Sequence, residues 1–186
     1  MKTLLIDNGS TLTKKLAELS PGNETVVAYN EIPKDISDFS LILLSGSSQL
    51  PVYGNEEKFA EEIELIKSSV VPIVGVCLGH ELIAHAYNSP LTHLAEQHVG
   101  MSEVTVIFEH QMFGGRESFQ VYENHQYGVT EISEELVALA KTDHAIATFR
   151  HKEKHIYGFQ FHPEHHTDEQ FGDEVFLKLF RELVQG

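Results

Sequence analysis

The segment Val70-Val71-Pro72-Ile73-Val74-Gly75-Val76 runs directly into Cys77-Leu78-Gly79-His80-Glu81-Leu82-Ile83-Ala84. The first part, Val70 to Val76, is an apolar run interrupted only by Pro72 and Gly75, the pattern of a buried strand. The second, Gly79 to Tyr87, has helical character. Cys77 therefore stands on a sharp turn between a strand and a helix, with glycine two residues away on either side. That is the G-x-S-x-G nucleophile-elbow pattern with Cys in place of Ser. Its glycines allow backbones to approach closely, and its central side chain is held out at the top of a sheet. A helix N-terminus at this point favours thiolate, and the Leu78 N–H is placed to serve as half of an oxyanion hole. A lone cysteine is elsewhere most often a small buried hydrophobe. The strand-turn-helix setting adds the reading of a nucleophile.

Working outward, short apolar runs alternate with helical patterns. Leu4-Leu5-Ile6 predicts a strand ending at Asp7-Asn8-Gly9, which reads as a simple turn, with contact to a ligand as the alternative. Thr11 to Leu19 carries Leu12, Leu16 and Leu19 at helical spacing and is stopped by Pro21-Gly22. Thr25 to Tyr29 and Leu41 to Leu44 predict two more strands. Glu56 to Ser69 predicts a helix with Phe59, Ile63 and Ile66 on one face and its acidic residues elsewhere. Beyond the elbow, Val104 to Phe108, Phe119 to Tyr122, Ala145 to Arg150 and Ile156 to Phe161 predict strands with few helices between them. Asp168 to Val184 closes the chain as an amphipathic helix through Phe171, Val175, Leu179 and Leu183. The expected class is α/β: an open, mostly parallel twisted sheet flanked by helices, with some antiparallel strands in the second half. Ligands in such sheets sit beyond the carboxyl ends of the strands.

The composition narrows the function classes. The 186 residues include 28 Asp+Glu against 13 Lys+Arg, a formal charge of −15. Such a surface does not attract phosphate backbones or anionic membranes, so neither nucleic acid nor membrane is an expected partner. One cysteine excludes an internal disulfide and any multi-thiolate zinc site. No run approaches the roughly 20 apolar residues needed to span a bilayer, and the short start Met1-Lys-Thr-Leu-Leu-Ile-Asp7 does not resemble a signal peptide. A cytoplasmic protein with one domain over residues 1–186 is expected. No phosphate-binding loop is present, and no cofactor is expected.

A cysteine nucleophile needs a base, and the base needs an orienting group. Among 12 histidines, His162 has the best setting. It follows the apolar run from Ile156, and Pro163 forbids simple continuation of the strand. Glu164, two residues on, can turn back and hold the imidazole in one tautomer. A solvated surface turn is the alternative reading. His162, His165 and His166 with Glu164 could also be read as a metal cluster, but the spacing fits no standard site, and no metal is expected. His80, His85, His93 and His98 read as surface or packing residues.

Gly75-Val-Cys-Leu-Gly-His80 followed far downstream by Gly158-Phe-Gln-Phe-His-Pro-Glu164 resembles the class I (triad) glutamine amidotransferases, with a flavodoxin-like sheet. The likeness spans nearly the whole chain. Leu43-Leu44-Ser45-Gly46 stands where that family has its oxyanion loop, and Phe119 to His125 resembles its substrate-framing loop, through Asn124 and His125. Arg150-His151-Lys152, with His162-Pro163-Glu164 and His166-Thr167, most resembles the glutaminase subunit of two-subunit GMP synthases. Ile6-Asp7-Asn8 and Val121-Tyr122 are instead similar to the glutaminase subunit of anthranilate and aminodeoxychorismate synthases. The resemblance implies glutamine as substrate, Cys77 as nucleophile, His162 as base and Glu164 as its orienter. It implies oxyanion donors at Leu78, Gly46 and Ser47. It also implies a synthetase partner, an ATP pyrophosphatase in the GMP synthase case, that receives the ammonia. A γ-glutamyl hydrolase and a non-catalytic regulatory module on the same fold are the alternatives.

Three departures from the family pattern stand out. Glu81 replaces the family's Gln, one helical turn after Cys77 and therefore facing the pocket. A charged carboxylate there would oppose a thiolate and repel a substrate carboxylate, or attract the substrate's α-ammonium. Ser45-Gly46-Ser47-Ser48 replaces Ser-Gly-Gly-Pro, and Ser47 would be strained if its position requires positive φ. Ala86-Tyr87-Asn88-Ser89-Pro90 replaces a Gly-rich turn, which those residues can still make.

Overall fold

The computed structural model describes residues 1–165 and 170–185. Among the described residues nine strands form one sheet: β1 (Lys2–Asp7), β2 (Asn23–Ala28), β3 (Leu41–Leu44), β4 (Ile73–Val76), β5 (Leu91–Val106), β6 (Ser118–Val129), β7 (Leu136–Lys141), β8 (Ile146–His151) and β9 (Ile156–Phe159). Four α-helices accompany them among the described residues: α1 (Thr13–Leu19), α2 (Ala60–Ser68), α3 (Leu78–Ala86) and α4 (Gly172–Gln185). The strand order is β2-β1-β3-β4-β9-β8-β7-β5-β6. Pairing is parallel from β2 to β9 and antiparallel from β9 to β6. The sheet is thus mixed, with its antiparallel strands in the second half of the chain.

Alternation along the strands assigns side chains to two cores. Leu5, Leu43 and Val74 point to one face, covered by Leu16 of α1 and by Val175, Phe176 and Leu179 of α4. Leu4, Ile6, Ile42 and Ile73 point to the other, covered by Ile66 of α2 and by Leu82 and Ile83 of α3. The four residues of β3, and the four of β4, are all buried. Both faces are covered, so these parallel strands are apolar throughout instead of alternating.

Several boundaries differ from the sequence-based expectation. β4 begins at Ile73, and Val70 is 98 % exposed. The Ser69 hydroxyl accepts the Val71 N–H and makes a turn there. The expected helix over 56–69 is a one-turn 3-10 segment, Glu56–Phe59, running into α2. Glu62 lies on its inner side and is fully buried, although the expectation set its acidic residues apart from the apolar face. β5 starts thirteen residues before the expected Val104, and β7 has no counterpart among the expected strands. The helix start expected at Asp168 lies outside the described residues, as do His166 and Thr167. No helix among the described residues is long and apolar enough to cross a membrane.

The turn after α3 keeps a glycine-type geometry without glycine. Asn88 takes φ 61°. Its N–H donates to His85 O at 3.0 Å, and the Ser89 N–H donates to Ala84 O at 2.9 Å. These two bonds form a Schellman cap, for which Asn is a tolerated left-handed residue.

Candidate active site

The carboxyl ends of β1, β3, β4 and β9 meet at one edge, and Cys77 stands in their midst. Its φ of 51° and ψ of −103° fall where an L-residue is strained by about 1–3 kcal/mol. The strain is held from both sides. The Cys77 N–H donates to Phe159 O at 2.8 Å, and Cys77 O accepts the Glu81 N–H at 3.1 Å. The flanking glycines are required by contact. A Cβ on Gly75 would lie 2.4 Å from the Gly79 carbonyl, and a Cβ on Gly79 would lie 2.5 Å from Leu44 O.

His162 follows β9 and is anchored by its N–H donating to Tyr122 O at 2.8 Å. Its Nδ1 is 2.8 Å from Glu164 Oε1, with the side chains 8 % and 1 % exposed. A carboxylate only accepts, so Nδ1 carries the proton and Nε2 is left for other partners. The ring stands beside the Cys77 side chain, both within 3.3 Å of where a Cβ on Gly46 would lie. Burial disfavours the charged ring, but the Cys77 sulfur and the Glu164 carboxylate outweigh it and hold the His162 pKa well above its ordinary value.

The predicted oxyanion donors converge on the same place. Leu78 is the first residue of α3, where backbone N–H groups lack intrahelical partners. Gly46 faces the pair closely: a Cβ there would lie 3.3 Å from both Cys77 Cβ and His162 Cε1. Ser47 has no positive φ, so the strain anticipated for it does not arise. Its hydroxyl instead accepts the N–H groups of Gln49 and Leu50, each at 3.1 Å.

Behind this loop lies a buried polar network that sequence reasoning missed. The Glu62 carboxyl accepts Asn8 Nδ2 at 3.1 Å, and the same amide donates to Ser45 O at 3.1 Å. The Asn8 N–H donates to Ser45 Oγ at 2.9 Å, and Ser45 Oγ donates to Gly46 O at 2.9 Å. Fixing the Gly46 carbonyl also fixes the planar peptide it shares with Ser47, and so the direction of the Ser47 N–H. Asp7-Asn8-Gly9 is therefore more than a simple turn. The one signal in the sequence was Glu62 lying three residues after Phe59, on the same helical face.

Burial raises the Glu62 pKa to about 8, against a partial lowering by Asn8. The folded state therefore binds a proton that the unfolded chain releases near its ordinary value. The stability this contributes is complete below that ordinary value and is lost as pH rises through about 8. Unfolding free energy measured in urea should fall between pH 5 and 8, by up to about 1.4 kcal/mol per pH unit from this group. Glu62→Gln should flatten the slope. An unchanged slope in the variant would show that Glu62 is ionised in the fold.

A cavity of about 510 Å³ opens over Cys77. Ser47, Leu78, Glu81, Tyr122, Asn124 and His162 contribute to its wall. Glu81 thus faces the pocket, as its spacing from Cys77 predicts. It is 4 % exposed, and burial raises its pKa to about 8, against a partial lowering by Gln160. Gln160 Nε2 donates to Glu81 Oε1 at 3.4 Å. At neutral pH the group is a carboxylic acid, so the repulsion expected of a charged carboxylate is removed. Asn124 O accepts the Cys77 thiol at 3.9 Å, and its side chain accepts Gln97 Nε2 at 3.0 Å. His125 also borders the cavity, but its ring is turned inward onto Glu123 and the Tyr127 carbonyl. His80 packs against Phe149 in the core. His165 stacks on Tyr122 at 3.6 Å.

Comparison with known proteins shows the family and the fold. The family described as "Glutamine amidotransferase class-I" matches residues 4–182. A Pyrococcus abyssi protein, named as a subunit of glutamine-hydrolysing GMP synthase, is 31 % identical, covering 97 % of this chain and 99 % of its own length. A Methanococcus maripaludis protein of the same name is 35 % identical, covering 88 % and 82 %. Among solved structures, a Thermoplasma acidophilum protein assigned as a GMP synthase subunit superposes with a TM-score of 0.83 at 23 % identity, over 100 % of this chain and 98 % of its own. A Thermotoga maritima glutamine amidotransferase superposes with a TM-score of 0.77 at 14 % identity, over 100 % and 84 %. With the elbow, the sheet and the family match in agreement over nearly its full length, the chain belongs to the class I glutamine amidotransferase family.

Proposed function

We propose that the chain hydrolyses glutamine to glutamate and ammonia through a thioester on Cys77, as the glutaminase subunit of a two-subunit GMP synthase. The observation that carries the mechanism is the Glu164-oriented His162 standing beside a cysteine on a strained elbow. The thiol proton passes to His162 Nε2, giving the thiolate–imidazolium pair that the raised His162 pKa favours, and Cys77 Sγ then attacks the side-chain carbonyl carbon of glutamine. Negative charge on the carbonyl oxygen is met by the N–H groups of Leu78 and of Gly46 or Ser47. Collapse breaks the C–N bond, and His162 delivers its proton to the leaving ammonia. Water, deprotonated by His162, then cleaves the thioester and releases glutamate.

The names of the relatives support the GMP synthase assignment and a further synthetase subunit; this reading takes that partner as a separate ATP pyrophosphatase chain and the cytoplasm as the compartment. The test is product analysis on the purified chain, with and without such a partner. Glutamate and ammonia should form in equal amounts. No glutamine turnover in either condition overturns the proposal.

Glu81 fits this reading as a neutral stand-in for the family's amide, since a protonated carboxyl has nearly the shape of a carboxamide. That equivalence ends near pH 8, where Glu81 ionises. Glutaminase kcat/KM should then fall by up to about tenfold per pH unit above that point, from Glu81 alone. Glu81→Gln should remove this limb and leave the rate near pH 7 within a few-fold. A profile unchanged by the substitution would assign the limb elsewhere.

A further inference from the structure

Glu123, His125 and His144 bring three ligand atoms within 4.8 Å of one another. We propose that they form a site for a divalent transition-metal ion of the zinc type, which clamps β6 to the turn between β7 and β8. The mechanism uses none of these side chains.

Glu123 and His125 are two residues apart on β6, so the pleat directs both to the same face. Both side chains are 1 % exposed. His144 comes from the β7–β8 turn, which is closed by the Thr142 N–H donating to Ala145 O at 2.9 Å. His98, opposite His125 on β5, stacks on the His144 ring at 3.5 Å and 7° and fixes its plane.

The protons identify what is needed between these groups. His125 Nδ1 is 2.8 Å from Tyr127 O. A carbonyl only accepts, so Nδ1 carries the hydrogen and a neutral ring has its lone pair at Nε2. Such a bond to the outer nitrogen is how metal-binding histidines are commonly oriented. Nε2 then faces Glu123 Oε1 at 3.2 Å, and His144 Nε2 faces the other carboxylate oxygen at 3.2 Å. Lone pairs facing a carboxylate repel unless a proton or a metal ion lies between them. The first contact has hydrogen-bond geometry, whereas the second, between His144 Nε2 and Glu123 Oε2, does not. Both separations are longer than the 2.7–2.9 Å usual for a charged N–H···O bond. Each ring nitrogen thus lies close to the 3.3 Å spacing of ligands held at about 2.0–2.1 Å on a tetrahedral ion from one carboxylate oxygen, and the three ligand atoms, one per residue, lie within 4.8 Å of one another. Two imidazoles and a carboxylate are a zinc donor set with one position left open.

Asn124 lies between the two β6 ligands, and its carbonyl meets the Cys77 thiol. A bound ion would therefore hold one wall of the cavity.

The test is equilibrium dialysis of the full chain, freed of metal with a chelator, against Zn²⁺. Co²⁺ serves as a second probe, through its tetrahedral visible absorption. One ion per chain is expected, together with a rise in Tm. His144→Ala removes a partly exposed ligand and should weaken binding at least tenfold and abolish the Co²⁺ bands. Glu123→Gln, with its fold checked by circular dichroism, should do the same. Cys77→Ala and His155→Ala should bind as the parent does. Absence of stoichiometric binding, or equal binding by His144→Ala, overturns the site and leaves a proton-shared His–Glu–His cluster. Loss of binding in Cys77→Ala overturns it by placing the ion at the thiol.

Discussion

Cys77→Ala is expected to lower glutamine turnover by about 10⁴-fold or more while leaving the fold intact. The size follows from the chemistry. Without the sulfur there is no thioester, and an oxyanion site has no bound nucleophile to serve. His162 and Glu164 would still be paired at 2.8 Å, so the loss cannot be blamed on a dispersed site. The side chain removed is small and 5 % exposed, and Tm should move by only a few degrees. A glutamine-like electrophile should label the parent once, on Cys77, and leave the variant unlabelled by mass spectrometry. Cys77→Gly gives a second reading. It is equally inactive, but glycine adopts φ 51° without the strain of a Cβ, so it should be at least as stable as Cys77→Ala. Turnover by Cys77→Ala within tenfold of the parent would remove the cysteine from the mechanism.

The elbow and its partners were legible in the sequence because their signals are local. An apolar run, two glycines at fixed spacing and a proline after His162 each constrain the chain within a few residues. β5 was hidden for the opposite reason. Thr92, His93, Glu96, Gln97 and His98 are polar, and this ribbon is solvated over much of its length, so no alternation marks it. Glu62 was hidden because a carboxyl on a helix reads as solvent-facing until the fold surrounds it. The place of Glu81 followed from helical spacing, but its charge state did not. Protonation is set by burial from α3 and β9, which only the assembled structure supplies. His144 likewise reaches Glu123 and His125 only through the sheet, across 19 to 21 residues of sequence.

Gly79→Ala is expected to destabilise the protein by about 2–3 kcal/mol and to dismantle the elbow with it. Two effects of opposite sign compete. Within a helix, Ala is favoured over Gly by about 1 kcal/mol, and Gly79 is the second residue of α3. Against this, the new Cβ would lie 2.5 Å from Leu44 O, 2.7 Å from Leu44 Cβ and 3.0 Å from Leu44 C. These are atoms of a buried central strand, paired on both sides with β1 and β4, and no rotamer change moves them away. The helix must shift off the sheet instead, carrying Cys77 and the Leu78 N–H from His162 and Gly46. Packing therefore outweighs propensity. For a chain of this size the loss corresponds to a fall in Tm of about 5–10 °C, accompanied by loss of glutamine turnover. Gly54→Ala is the control: nothing lies within 4 Å of its Cβ, and only its φ of +75° is at issue, at about 1–2 kcal/mol. A Gly79→Ala chain as stable as the parent would mean that α3 has room to move, and that close packing does not hold Cys77 in its strained conformation.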